Sequence, residues 1–232
     1  MKIFTSKSRG VTLVELSIVL AILGILIVAT ISGKSLIDMA RATATIQYFK
    51  DRSVAIQLFD ASYNATPGDA SYATISDLSP KLFGNTSSGI NTYPETVFVD
   101  YHFSLSKLYP RTIPITSYNA TASTTTVSGT ITDASQILTK SKVSGAYVFT
   151  FSTDASNHYH AIGALGTLTY TPIQSPMFQI IDTKTDDSVY NTGYVQCNQS
   201  ITFGTASTAA VLLTNVSSTY DTSCIFTFST TM

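Results

Sequence analysis

Few side chains in this sequence have types and spacings that suggest chemistry, and they form four groups. The groups are one acid inside an apolar run, two cysteines, three closely spaced acids, and a pair of nearby histidines: Glu15; Cys197 and Cys224; Asp182, Asp186 and Asp187; His158 and His160. An ionised acid in an apolar segment needs a partner, cysteines can form a disulfide, and carboxylates and histidines can bind metal ions. The sequence contains no Gly-x-Ser-x-Gly motif, no zinc-protease helix motif and no phosphate-binding loop. We therefore expect a protein that is not an enzyme.

The composition excludes two broad classes of protein. Charged residues make up only 12% of the 232 residues and hydrophobic residues 44%, whereas a disordered chain combines high charge with low hydrophobicity. The formal net charge is −1, which gives no basic surface for nucleic acid. We expect no nucleic-acid partner and one substantial domain with a short appendage.

The acid Glu15 lies in an apolar run from Val11 to Ile31 and is the only charged residue in that run. A helix of about 21 residues spans roughly 32 Å, about the thickness of the hydrocarbon core of a bilayer. Three basic residues and no acid precede the run, so the positive-inside rule predicts a cytoplasmic N-terminus and an extracytoplasmic remainder. The alternative, a cleaved secretory signal, would have a shorter apolar region.

The first sixteen residues resemble the class III signal of prepilins and pseudopilins. The resemblance rests on a short basic leader that ends at Gly10 and is followed by Val-Thr-Leu-Val-Glu-Leu at residues 11–16. It implies that a membrane-embedded prepilin peptidase cleaves between Gly10 and Val11 and methylates the new amino group of Val11. Most members of the family begin their mature chain with Phe, where this sequence has Val11. Glu15 would become the fifth residue of the mature chain.

We expect Glu15 to act in assembly. Its burial in lipid would cost about 2.5 to 3.5 kcal/mol without a partner, and the sequence suggests none in its own helix. It lies about 6 Å along the helix from the new amino terminus, so we expect it to meet the terminus of an adjacent subunit at another height. Such a buried pair favours one register over others.

The segment after the apolar run predicts a stem helix that ends before a globular head. Apolar residues recur at steps of three and four from about Ser35 to Ser62, which is typical of an amphipathic helix. Turn-forming residues at 64–69 then end it. We expect four segments: a leader at 1–10, a transmembrane helix at 11–31, an amphipathic stem at 32–63 and a β-rich head at 64–232.

Runs rich in aromatic and branched residues predict an antiparallel sheet in the head, with the stem helix packed on one face. The runs are 145–152, 157–171, 192–197, 210–214 and 223–229. Ser175 and Pro176 predict the start of a short helix. Residues 95–109 fit both a strand and a helix, and a resemblance of 102–108 to a block of large bacterial pseudopilin-like proteins favours helix. Residues 119–135 predict an exposed loop. For the whole protein, the elements and the resemblance together predict an α+β, pilin-like fold.

The reactive groups of the head predict structural roles. In an oxidising compartment Cys197 and Cys224 would form a disulfide. We interpret the three aspartates as a solvated turn whose charge Lys184 offsets, with a calcium site as the weaker alternative. We interpret the two histidines as ordinary surface residues rather than as metal ligands. We expect no cofactor; calcium would be one only if the weaker alternative for the three aspartates holds.

Together these features and the resemblance predict a pseudopilin or minor pilin. It would be a structural subunit of a type II secretion pseudopilus or a type IV pilus, anchored in the inner membrane by one span with a periplasmic head. Its expected partners are prepilin peptidase, other pilin or pseudopilin subunits and an inner-membrane assembly platform. The alternative is a membrane-tethered periplasmic binding module or adhesin that does not polymerise.

Overall fold

The computed structural model describes residues 12–70, 89–90, 93–108, 118–119, 130–131, 134–153, 157–165, 170–203, 211–214 and 223–229. In chain order its elements are α1 (Leu13–Tyr63), α2 (Tyr93–Ser106), β1 (Tyr118–Asn119), β2 (Thr130–Ile131), α3 (Ala134–Ile137), β3 (Thr139–Lys140), β4 (Tyr147–Ser152), β5 (His158–Leu165), β6 (Tyr170–Thr171), α4 (Met177–Thr185), β7 (Val195–Asn198), β8 (Ser200–Thr202), β9 (Leu212–Thr214) and β10 (Ile225–Ser229). The chain divides into two compact units, Met1–Ala40 and Arg41–Met232. The predicted leader, with Gly10, and the first mature residue, Val11, lie outside the described residues.

The described part of the first unit is the beginning of α1, and its apolar side chains are exposed. Leucine, isoleucine and valine side chains from Leu13 to Ile31 lie open on all sides of the helix. Among the described residues, α1 is long and apolar enough to cross a membrane. The helix continues through Gly24 and Gly33 without a break, because neighbouring helical residues tolerate an isolated glycine at a cost of about 1 kcal/mol.

In the second unit α1 buries one face. Its buried residues recur at steps of three and four: Ala42, Thr45, Phe49, Arg52, Ala55, Ile56 and Phe59. This pattern confirms the predicted amphipathic helix. The helix ends at Tyr63 because Asn64 adopts a φ of 48° and Gly68 a φ of 97°, in the left-handed region that asparagine and glycine enter most readily.

The main sheet is antiparallel and has the strand order β3-β4-β5-β10-β7, with β6 paired to β5. The predicted strand run 157–171 is therefore two strands that fold back on each other, with Ala164 opposite Thr171. The prediction that 210–214 joins this sheet is wrong, because β9 pairs with β8 in a separate two-stranded sheet. Part of the predicted loop 119–135 pairs instead, as β1 with β2, and most of its remainder lies outside the described residues.

Two predicted helices are present. The ambiguous segment at 95–109 forms α2, and the predicted short helix forms α4, where the N–H of Met177 donates to Oγ of Ser175 at 3.3 Å. Ser175 therefore supplies the hydroxyl that satisfies a free donor in the first turn.

The two faces of the sheet form different cores, because successive side chains of a strand point to opposite faces. On one face Val148 of β4 packs with residues of α1 and α4, such as Phe49 and Phe178. On the other face Phe149 and Phe151 pack with α2. The predicted packing of the stem helix on one face is confirmed, whereas the sequence did not predict α2 on the other.

A buried disulfide joins Cys197 of β7 to Cys224, which directly precedes β10. The two Cα atoms lie 5.4 Å apart, within the usual range for a disulfide. The predicted pairing is therefore present. Cys224 also exchanges backbone hydrogen bonds with Ile173, so the bond ties together the segment before α4 and one edge of the sheet.

We predict that replacement of both cysteines by alanine lowers the free energy of unfolding by about 3.5 kcal/mol, because the disulfide closes a loop of about 28 residues in the unfolded chain. Thermal unfolding of the full chain in detergent, followed by tyrosine circular dichroism, measures the change. A reductant should lower the melting temperature of the wild type and leave that of the double variant unchanged. A wild-type melting temperature that reductant does not alter would contradict the prediction.

Candidate functional site

The start of α1 is a capping box formed by Thr12 and Glu15. Oε2 of Glu15 accepts hydrogen bonds from the backbone N–H of Thr12 at 2.8 Å and from its hydroxyl at 3.0 Å. In return the N–H of Glu15 donates to Oγ1 of Thr12 at 3.2 Å. These reciprocal bonds satisfy two donors that a helix start leaves open, and the negative charge complements the helix dipole.

The prediction that Glu15 has no partner in its own helix is therefore wrong. The signal that could have shown the partner is the spacing Thr-x-x-Glu at residues 12–15, which is the sequence signature of a capping box. Both hydrogen bonds use Oε2, and a carboxylate offers about four acceptor positions. The capping box leaves Glu15 able to accept a further donor.

Other polar groups of the apolar run are satisfied by the helix itself. The hydroxyl of Ser17 donates to the carbonyl of Val14 at 2.8 Å, and that of Thr30 donates to the carbonyl of Ile27 at 2.8 Å. Both residues therefore tolerate an apolar surrounding. Among the described residues of the run, Glu15 is the one ionisable group.

In the second unit, a buried ion pair joins α1 to α2. Nη1 of Arg52 binds Oδ1 of Asp100, and both side chains are almost completely shielded from solvent. Burial alone would lower the pKa of Arg52, but the charge of Asp100, the neighbouring Tyr48 and the hydrogen bonds to both together outweigh burial and hold that pKa above its ordinary value. The guanidinium also lies over the ring of Phe103 at 5.4 Å from its centroid, a cation–π contact. Arg52 therefore stays charged inside the head.

The ion pair continues into the sheet through hydroxyl groups. Nε of Arg52 donates to Oγ1 of Thr150 at 2.6 Å, and Oγ1 of Thr150 lies 3.0 Å from Nδ1 of His160. Nε2 of His160 lies 3.0 Å from Oγ of Ser53, which donates to the carbonyl of Phe49 at 2.9 Å. We call the chain of Arg52, Thr150, His160 and Ser53, with Asp100 at its end, the buried network.

The interpretation of both histidines as surface residues is wrong for His160, which is completely buried. Burial lowers its pKa well below the ordinary value, and the positive charge of Arg52 lowers it further. A signal in the sequence is the position of His160 two residues before Ile162 on β5, because alternate residues share a face. His158 is half-buried, and its Nδ1 pairs with Oγ of Ser152 at 2.6 Å.

The directions of these hydrogen bonds do not prepare Ser53 as a nucleophile. The hydroxyl of Ser53 gives its proton to the carbonyl of Phe49, so it accepts from His160. A general base would instead accept the serine proton. The arrangement holds elements together and offers no activated hydroxyl.

The three candidate aspartates do meet. Single carboxylate oxygens of Asp182, Asp186 and Asp187 all lie within 4.8 Å of one another. The solvated turn that the sequence suggested is wrong for Asp182, which is completely buried. Lys184, which we expected to offset these charges, donates from Nζ to Oγ1 of Thr43 at 3.0 Å.

Two of these carboxylates organise the loop between α4 and β7. Oδ2 of Asp186 accepts the N–H of Val195 at 2.9 Å, and its carboxylate lies where a side chain on Gly193 would be. Asp187 accepts the N–H of Val189 at 2.8 Å and the hydroxyl of Thr192 at 2.5 Å. The bond from Thr192 lowers the pKa of Asp187 below its ordinary value. The carboxylates therefore serve as acceptors for their own loop.

A comparison with protein families gives a match at the N-terminus. Residues 5–31 match the prokaryotic N-terminal methylation motif. This chain carries the class III signal of the prepilin and pseudopilin family. No curated protein and no solved structure matches the chain.

The prepilin-type signal agrees with the architecture of the protein. A long N-terminal helix with an apolar stretch is followed by an antiparallel sheet, which is the pilin-like arrangement expected from the sequence. The signal implies processing by prepilin peptidase, pilin-like assembly and anchoring in a membrane. The family consists of structural pilin subunits.

For this pilin-like protein we predict that Arg52→Met lowers the free energy of unfolding by about 3 to 5 kcal/mol, because it leaves Asp100 buried without its counter-ion. The double variant Arg52→Met/Asp100→Leu should recover much of that loss. Nη2 of Arg52 and Oδ2 of Asp100 have no hydrogen-bond partner among the described residues, so the pair itself is incompletely satisfied.

Denaturant unfolding of the full chain in detergent measures these changes. The matched control is Lys50→Met, an exposed position on the same helix, which should alter stability by less than about 0.5 kcal/mol. A single Arg52→Met variant as stable as the control would contradict a structural role for the ion pair.

Proposed function

We propose that the protein is a non-enzymatic fibre subunit, a pseudopilin or minor pilin of a type II secretion pseudopilus or a type IV pilus. The observation that carries the proposal is the match of residues 5–31 to the methylation motif on a helix that is apolar enough to span a membrane. The motif and the exposed apolar surface of α1 share residues 13–31. One segment can thus serve as processing signal, anchor and assembly element.

Processing would remove the leader at 1–10 by cleavage between Gly10 and Val11, followed by methylation of the Val11 amine. The apolar helix would keep the subunit in the inner membrane, with its N-terminus cytoplasmic and its head periplasmic, as the basic leader predicts. An assembly platform would then move subunits into a filament. The exposed apolar side chains of α1 would exchange contacts with lipid for contacts with the helices of other subunits.

Glu15 would direct this assembly from within its capping box. Its Oε2 stays bound to Thr12, and the remaining acceptor positions can receive the amino terminus of a neighbouring subunit. Two opposite charges in an apolar surrounding attract strongly in one register and leave both charges unpaired in any other. Glu15 would therefore set the axial position of each subunit.

The alternative function is a membrane-tethered periplasmic binding module or adhesin that does not polymerise. It draws support from a cleft of about 200 Å³ in the second unit, which is lined in part by Tyr48, Lys140 and Lys142. Such a module would keep its leader and would tolerate Glu15→Ala. The two functions therefore differ in one experiment.

We predict that Glu15→Ala is processed normally but loses most filament assembly, because the charge that pairs with a neighbouring amino terminus is gone. Mass analysis of the N-terminus reports processing, and electron microscopy with quantification of sheared filaments reports assembly. The matched control is Ser17→Ala, whose hydroxyl bonds only within its own helix and whose loss should leave assembly intact. Normal assembly of Glu15→Ala, or an N-terminus that still begins with Met1, would overturn the proposal.

We further propose that Asp182, Asp186 and Asp187 hold their loop and do not serve a resident cation. Calcium takes six to eight oxygen ligands, and two of the three carboxylates already accept hydrogen bonds from the loop. Carboxylates are also the ligands that calcium prefers, so added calcium tests this proposal directly.

We predict that the full chain has the same melting temperature in millimolar calcium as in an equal concentration of magnesium. Asp186→Asn should lower the melting temperature equally with and without calcium, because it weakens the bond to Val195. A rise of several degrees in calcium that Asp186→Asn abolishes would establish a calcium site instead.

A further inference from the structure

We propose that the contact between the 41–63 part of α1 and the sheet is an acid-sensitive joint, which opens when His160 takes up a proton. The proposal goes beyond the function proposed above and does not depend on it. It rests on the buried network, in which His160 connects the helix to two neighbouring strands.

The proton positions in the buried network follow from its donors. The guanidinium of Arg52 can only donate, so Oγ1 of Thr150 accepts from it, which leaves the proton of the Thr150 hydroxyl available for Nδ1 of His160. Since the Ser53 hydroxyl donates to the carbonyl of Phe49, it accepts from Nε2 of His160. Each hydrogen bond of the network then has one donated proton, and His160 is neutral with its proton on Nε2.

A second proton on His160 would disrupt this chain of hydrogen bonds. The new N–H at Nδ1 would point at Oγ1 of Thr150, which already points its own proton towards His160. The hydroxyl could turn to accept it, but its proton would then need an acceptor elsewhere. A buried donor without an acceptor costs about 1 to 3 kcal/mol, so the folded arrangement selects the neutral ring.

The ionisable groups around His160 also oppose its protonation. Arg52 on α1 and His158 on the same strand both lower the pKa of His160. Tyr48 on α1 stays neutral because burial raises its pKa, and the negative charge of Asp100 on α2 is bound to Arg52. From β4 and β10 the neighbours are Thr150 and Phe228, which do not ionise. A protonated His160 would therefore place a second positive charge beside Arg52, and the only carboxylate of the network is already paired.

Opening of the joint removes both penalties, because water can then solvate the imidazolium. His160 also stacks on Phe49 of α1, with ring centroids 5.6 Å apart, so release of the ring loosens the helix face as well. An open histidine has a pKa of about 6.5, and the closed form binds no proton at that pH. Acid therefore favours the open form, and the effect approaches tenfold for each pH unit well below about 6.5.

Hydrogen exchange of the full chain in detergent micelles tests the proposal. Mass spectrometry would follow peptides that cover residues 45–56 and β4 at about pH 7.5, 6.5 and 5.5, with the rates corrected for intrinsic exchange. We expect the opening constant of these peptides to rise about tenfold between pH 7.5 and 5.5, with most of the rise below pH 6.5. Peptides from β7, which the disulfide holds, should change less.

Two variants separate His160 from other groups that titrate. His160→Gln keeps a donor for Ser53 and cannot be protonated, so its opening constant should not change with pH in this range. The matched control His158→Gln, on the same strand, should keep the tenfold rise. His102 is also buried, and its Nδ1 accepts the N–H of Gly68 at 2.9 Å, but it is present in all three proteins and cancels in the comparison.

An equal rise in His160→Gln and in the wild type would overturn the proposal. Where His160→Gln does not fold, nuclear magnetic resonance of the wild type, with each histidine ring assigned, tests the proposal. The expected result is that the His160 ring stays neutral, with its proton on Nε2, for as long as the head stays closed. A folded head in which the His160 ring titrates near pH 6.5 would also overturn it.

Discussion

The ion pair between Arg52 and Asp100 is the contact on which the organisation of the head depends. It joins α1 to α2, which also pack on each other through Phe59 and Phe103, and Arg52 also binds Thr150 within the sheet. Apolar side chains alone would tolerate small shifts between such layers, because dispersion contacts have little directionality. A buried guanidinium has fixed donor directions and does not tolerate such shifts, so this pair sets the relative position of the helices and the sheet.

The same constraint acts at both ends of α1, with different partners. A polar group in an apolar surrounding must find a hydrogen bond or remain strongly unfavourable. Near the N-terminus Glu15 finds it in the backbone and hydroxyl of Thr12, and in the head Arg52 finds it in another helix and a strand. The first solution is local, whereas the second requires the whole head to be folded.

This difference explains how much of the structure the sequence could predict. Local patterns were sufficient for the amphipathic helix, for α4 after Ser175, and for most strands, because spacing and turn residues determine these elements. They were not sufficient for β9, whose short apolar run is equally consistent with either sheet, or for His160. Whether a histidine on a strand is buried depends on which helix covers that face, and this contact is distant in sequence. The capping box is local, and the spacing Thr-x-x-Glu at residues 12–15 is sufficient to predict it.

The capping box also affects how favourably an unassembled subunit with a charged residue can stay in a membrane. If Glu15 depended wholly on a neighbour, every unassembled subunit would carry an unpaired carboxylate in lipid, at a cost of about 2.5 to 3.5 kcal/mol. Because Thr12 already donates twice to Oε2, part of that cost is offset within the single chain. Under the proposed function, a neighbouring amino terminus then adds a charged donor to a carboxylate that is already held in place. The oriented carboxylate of Glu15 would set the register during assembly, and the same capping box would reduce the cost of keeping an unassembled subunit in the bilayer.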